Sequence, residues 1–337
     1  MNLSRRNFLH SSAALSAAAA AGTLSLSGIA RATNATPVQY GGSAWLGHYP
    51  AYLAMKSGAL ASAGIDQQWQ SFGTSSARMS AVLSGGIDIA CTGIVSALAL
   101  MARGSKHFSI VAVPESFGRV EGLFVRDGVN SLQDLKGKKL GVTFASSAHL
   151  LVLDLLGNAG LSNDVTVLNV PAPELPGAIQ SGQIDAAAAW TPQFNRIRAM
   201  SGMKLLADDT QFSLYKKYNV TPGPDVLIVR NAWAEKNADA VRKYLKVYFD
   251  TCQMLREKPD DAARSLIALI ALTGMSALDQ VETIKGAEWY GLAQQTQLLK
   301  APGSYVDGLQ RLAEMLVTYK QIDKAPAVRQ WINTSYL

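Results

Sequence analysis

The 337-residue sequence has only two cysteines and four histidines, and none of them falls into an HxxxH, HExxH or CxxC spacing. The local ligand patterns that announce a resident metal are therefore missing, and no metal or other cofactor is expected. There is no GxSxG elbow, no Walker loop and no GxGxxG fingerprint. Ser, Cys and His also never combine in a pattern that suggests nucleophilic catalysis. Charge of one sign is scarce as well: 31 Lys and Arg stand against 25 Asp and Glu. This weak, unclustered excess does not suit a nucleic-acid partner, which demands a concentrated basic face. Beyond the N-terminal segment, no stretch approaches the ~18 unbroken apolar residues that would span a bilayer.

That N-terminal segment is the first positive feature. "SRRNFLH" (4–10) sets two arginines before Phe8-Leu9, an Ala-rich apolar stretch follows, and "ARA" (30–32) has the small–x–small form of a cleavage site. The pattern is that of a twin-arginine export signal rather than a membrane anchor. Cleavage after Ala32 removes Arg5, Arg6 and Arg31, and the product is expected to be soluble in a periplasm. An oxidising compartment raises the question of a disulfide. Cys91 sits in an apparent buried strand, "IDIACTG", and Cys252 on the apolar stripe Val241, Leu245, Tyr248, Leu255, so both read as buried free thiols.

The mature chain is long enough for two domains, and it contains a repeat. "SGGIDIACTG" (84–93) rhymes with "SGQIDAAAAW" (181–190), and upstream "SAGID" (62–66) rhymes with "NAGLS" (158–162). Each unit alternates strands with glycine-terminated helices, which predicts parallel βαβ architecture. A second matched pair, "EGLFVR" (121–126) and "DVLIVR" (225–230), reads as two strands crossing between the lobes. The expected fold is α/β with two lobes joined by two hinge strands. Residues 1–32 form the signal peptide, 33–120 with 225–337 form lobe 1, and 121–224 form lobe 2. The helix-rich tail is expected to cover the first lobe with its apolar stripes.

In open α/β sheets, ligands sit beyond the C-terminal ends of the strands. Here those ends are "GGSAWLGHYP" (41–50), "SFGTSSARM" (71–79), "CTGIVSALAL" (91–100), "TFASSAHLLVL" (143–153) and "AWTPQFNRI" (189–197). Small and hydroxylated residues such as Ser43, Ser146 and Ser147 lead into helix N-termini, whose free N–H groups can hold an anion without a formal cation. Each serine alone is equally well explained as an N-cap. Asp225 and Glu121 head the two crossing strands. A carboxylate near an anion site implies a ligand that also carries a cation, unless the acid is neutralised by Arg119 or Arg230. Trp45, Phe144 and Trp190 are available as aromatic walls, and His149 is read as structural, with donation to the ligand as the alternative.

These stretches resemble a known family: the periplasmic substrate-binding components of ABC importers for sulfonates and nitrate. The likeness is carried by residues 134–161, 181–197, 224–246 and 293–302, the last two favouring the taurine branch, while 43–58 reads closer to the wider group. The resemblance implies a type II periplasmic binding protein, or Venus flytrap, that closes on a small sulfonate. The ligand is then handed to a membrane permease driven by an ATPase. A sulfonate would lie on the turns at Ser146-Ser147 and Thr92-Gly93, with Asp225 receiving the amine. A monomer without catalytic activity is expected. The alternative is a binding protein for another small anion (an alkanesulfonate, nitrate or a sulfate ester), and an exported enzyme on the same fold, or a sensor coupled to a receptor, remain the readings from other classes.

Overall fold

The computed structural model describes residues 35–270 and 275–337, so the signal segment lies outside the described residues. Among the described residues, twelve strands follow in chain order: β1 (Thr36–Gly42), β2 (Ile65–Ser71), β3 (Ile89–Gly93), β4 (Phe108–Ala112), β5 (Glu115–Phe117), β6 (Glu121–Arg126), β7 (Lys139–Val142), β8 (Thr166–Asn169), β9 (Ala186–Trp190), β10 (Met203–Asp208), β11 (Asp225–Arg230) and β12 (Ala287–Trp289). They build two five-stranded sheets and a small ribbon of β5 with β12. The first sheet runs β2-β1-β3-β11-β4 and the second, read from its other edge, β8-β7-β9-β6-β10. In each, three parallel strands are followed by an antiparallel one, β11 or β6, and then by an outer strand. The sequence repeat thus becomes two sheets of matching order, and "SGGID" and "SGQID" lead into the equivalent strands β3 and β9.

The strand interiors explain why both faces are covered. In β11, Val226 and Ile228 enter one apolar cluster, while Leu227 and Val229 enter another. The alanines of β9 alternate in the same way, Ala186 and Ala188 against Ala187 and Ala189. A sheet buried on both sides needs such two-sided apolar strands. Among the described residues, no helix is long and apolar enough to cross a membrane.

The tail divides its work. The helix Ala238–Glu257 buries Val241, Tyr244, Leu245, Tyr248 and Cys252 in the cluster that also holds Tyr49, Leu53 and Leu227 of the first sheet's layer. The helix Tyr305–Thr318 instead lies against the segment after β10: a Cβ on Gly308 would sit 2.5 Å from the Tyr218 side chain. The tail therefore does more than cover the first lobe. Cys91 and Cys252 are both buried and free.

Candidate functional site

The strand ends of both sheets and the two crossings surround a cavity of about 400 Å³. Its wall includes Ser43, Trp45, Gly93, Glu121, Ser146, Ser147, Trp190 and Asp225, all singled out by the sequence. Three helices begin at it. Ser75–Leu83 is capped by Thr74, whose side chain accepts from the Ala77 N–H, and Ser147–Asn158 is capped by Ser146, which accepts from the His149 N–H. Ile94–Ala102 starts at Gly93 without a side-chain cap. The first-turn N–H groups of such helices have no partner within the helix, so they offer donors and a partial positive charge to an anion.

"FASS" makes its strand-to-helix turn without glycine because Ala145 itself takes the left-handed conformation, at φ 57°. That conformation is unfavourable for any residue with a Cβ, so the surrounding turn must hold Ala145 in it. Beyond the turn, the Ser147 hydroxyl donates to Glu121 Oε1 at 2.7 Å, tying a helix N-terminus to the head of β6. Neither acid is neutralised by the arginines considered from sequence. Arg230 pairs with Asp88, and the Arg119 backbone N–H donates to Asp209.

Asp225 is buried and accepts from the Trp45 indole N–H at 2.7 Å. Trp45 in turn meets Phe117 edge-on, with ring centroids 5.2 Å apart. Burial pushes the Asp225 carboxyl up to about 6, opposed by the Trp45 hydrogen bond and the positive charge of Arg78. Glu121 is pushed up to about 8 by burial, with the Ser147 hydrogen bond opposing, and Asp209 to about 7, again chiefly by burial. At neutral pH, then, Asp225 is ionised while Glu121 is largely a neutral carboxylic acid. His48 also lines the cavity; burial and Arg78 hold it well below its usual range, so it is an uncharged partner of the Tyr40 hydroxyl.

Arg78 is the residue that sequence reasoning missed. It stands in the first turns of the Ser75–Leu83 helix, is only 3% exposed, and lines the cavity with Thr74 and Ser75. Its guanidinium donates to Ser75 Oγ at 3.4 Å, and Nε has no partner among the described residues. Helical side chains lean back toward the N-terminus, which carries an arginine at this position toward the strand ends. A cation inside "SFGTSSARM", a stretch already marked as a ligand turn, was the available signal. The cavity wall thus carries a formal cation that the sequence reading did not assign to it.

Two expected wall residues are not among those lining the cavity. Thr92 alternates onto the face of β3 shared by Ala90, away from Cys91, and is buried there. Phe144 is 43% exposed and stacks on His149, with ring centroids 4.4 Å apart. Phe117 at the end of β5, Asp209 just after β10, and Thr221 and Gly223 before β11 also belong to the wall.

The family described as NMT1/THI5 like matches residues 45–262, and the twin-arginine signal family matches residues 2–22. The taurine-binding periplasmic protein of Escherichia coli (strain K12) is 28% identical over 286 residues, covering 83% of this chain and 85% of that protein. Among solved structures, the periplasmic aliphatic sulphonate binding protein SsuA from Escherichia coli superposes with a TM-score of 0.73 at 20% identity, covering 88% of this chain and 97% of the other. The alkanesulfonate-binding protein SsuA from Xanthomonas axonopodis pv. citri, bound to MOPS, gives 0.69 at 20% identity, covering 90% and 99%.

Proposed function

Since this chain belongs to the NMT1/THI5-like family, we propose that its cavity binds taurine or a closely related small aminosulfonate. At the family level the chain is an exported periplasmic binding component of an ABC importer for sulfonates, and it is not an enzyme. The finer reading concerns which ligand is bound and how it is held.

The observation that carries it is one cavity in which a buried cation, Arg78, and three helix N-termini stand with Asp225, the most acidic of its three buried carboxyls, the other two, Asp209 and Glu121, being pushed up to about 7 and about 8. A simple anion would gain from Arg78 and the helices but be repelled by Asp225. A ligand with a sulfonate at one end and an ammonium at the other is attracted by both. The sulfonate lies on Arg78 and on the turns at Ser146-Ser147 and Gly93. The ammonium meets Asp225, and Trp45, Phe117 and Trp190 close around the short carbon chain. Neutral Glu121 adds a hydrogen bond without a second negative charge.

The strands 121–126 and 225–230, read from the sequence as the crossings, each pair within one sheet as β6 and β11, so the chain passes between the sheets just before them, at 118–120 and 219–224, and these segments act as the hinge between lobe 1 (33–120 with 225–337) and lobe 2 (121–224). Ligand bridging the lobes stabilises the closed form by the contacts it makes only there, and closure creates the surface that the permease reads. The protein works as a monomer.

The test is calorimetric titration of taurine and ethanesulfonate against wild type and Asp225→Asn. Removing one member of a buried charge pair costs about 2–5 kcal/mol, so taurine should bind at least about thirtyfold more weakly. Ethanesulfonate should bind as well as before or better. Equal losses for the two ligands would remove the amine contact from the scheme.

A further inference from the structure

Beside the cavity lies a second set of groups, of which the ligand scheme uses Asp225 alone. Cys91 Sγ, a carboxylate oxygen of Glu115 and one of Asp225 all lie within 4.8 Å of one another, and all three residues are buried. They come from the middle of β3 and the first positions of β5 and β11, so no local spacing in the sequence announces them. Glu115 is fully inaccessible, yet neither of its carboxylate oxygens has a hydrogen-bond partner among the described residues. Buried acceptors with no donor are rare because their lost hydration is not replaced. An acidic side chain left this way, and aimed at a thiol and a second carboxylate, points to an absent donor of positive charge.

We propose that Cys91, Glu115 and Asp225 form a binding site for a thiophilic divalent cation of the zinc type. The donor set selects the ion. Calcium and magnesium take oxygen ligands almost alone, whereas zinc combines thiolate sulfur with carboxylate oxygen. Zinc bonds of about 2.0–2.3 Å require donors roughly 3.5 Å apart, so an inward shift of about an ångström closes the site. Three protein ligands leave a fourth position for water.

The charges also balance. A thiolate and two carboxylates carry three negative charges, the ion supplies two positive ones, and the Arg78 guanidinium, whose field reaches both Cys91 and Asp225, supplies the third. The protons displaced from the thiol and from Glu115 pass to solvent on binding. Without the ion, burial holds the Cys91 thiol and the Glu115 carboxyl well above their usual ranges. Asp225 reaches the cavity wall, which gives the ion its way in.

The test needs no organic ligand, so its failure would leave the aminosulfonate reading untouched. Metal-free protein is titrated with zinc by calorimetry and with cobalt by absorbance. One equivalent should bind, and cobalt should show a thiolate-to-metal charge-transfer band. Cys91→Ser should abolish the band, and Glu115→Gln should weaken zinc binding at least about tenfold. Cys252→Ala should change neither, and the melting temperature of each variant shows that it is folded. If Cys91→Ser fails to fold, the stoichiometry and band of wild type with the Glu115→Gln titration decide the matter. Absence of stoichiometric uptake by wild type overturns the proposal, as does zinc binding that survives unchanged in Glu115→Gln.

Discussion

A carboxyl group raised to about 6 is ionised at neutral pH and neutral in mild acid, and Asp225 is such a group. An ammonium ligand needs its ionised form. Taurine affinity should therefore fall by up to tenfold per unit below about pH 6, because the bound proton must first leave. Titrations between pH 4.5 and 8 check this, and an affinity unchanged down to pH 5 would count against the contact. Glu121 gives a prediction for stability. Its folded-state value of about 8 lies above that of an unfolded glutamate, which is about 4.3. The folded protein thus holds the extra proton between those values. The stabilisation this brings is complete below about pH 4.3 and lost as pH rises through about 8. Glu121→Gln keeps the uncharged shape, so its melting temperature should fall less steeply from pH 5 to 9, and at pH 9 it should be more stable than wild type by about 2–4 kcal/mol. Parallel curves for the two proteins would show that Glu121 is ionised when buried.

Between the strand ends and the helices, the limits on side-chain size become strict. A Cβ on Gly223 would sit 2.4 Å from Ser147 Cβ, and one on Gly47 would sit 2.0 Å from Asp225 Oδ2. Gly223→Ala pushes the second crossing away from the capped turn, so ligand affinity should fall at least about tenfold while the unliganded melting temperature changes little; calorimetry and thermal melts separate the two effects. Thr74→Ala removes an N-cap and should cost about 1 kcal/mol of stability. The helix starts were legible because hydroxylated caps follow local rules, and Glu121 and Asp225 were legible because they begin matched strands. Arg78 was not, since its role depends on a helix leaning over a distant strand end. Thr92 and Phe144 were misplaced for a related reason: alternation along a strand and stacking on His149 decide where they point, and neither follows from lying near a turn.

Across the whole molecule, the repeat in sequence was enough to anticipate two α/β sheets, because glycine stops and apolar strands recur at matching intervals. The helix Tyr305–Thr318 escaped that reading; a stripe reveals that a helix is covered, not which surface covers it. Ligand that binds the folded protein alone should raise its stability by about 2.7 kcal/mol at a hundredfold excess over Kd, and small-angle scattering should show a smaller radius of gyration if the lobes close. The order of the strands has a consequence for assembly. β6 to β10 are consecutive in the chain and together make one complete sheet, whereas β11 must slot between β3 and β4 more than a hundred residues after them. On a ribosome, the half that is made first has to wait, its middle open, until the later half has already been synthesised. A nascent chain halted before Asp225 should consequently protect the amides of β7 and β9 from exchange while those of β4, whose ladder partner is β11, still exchange freely.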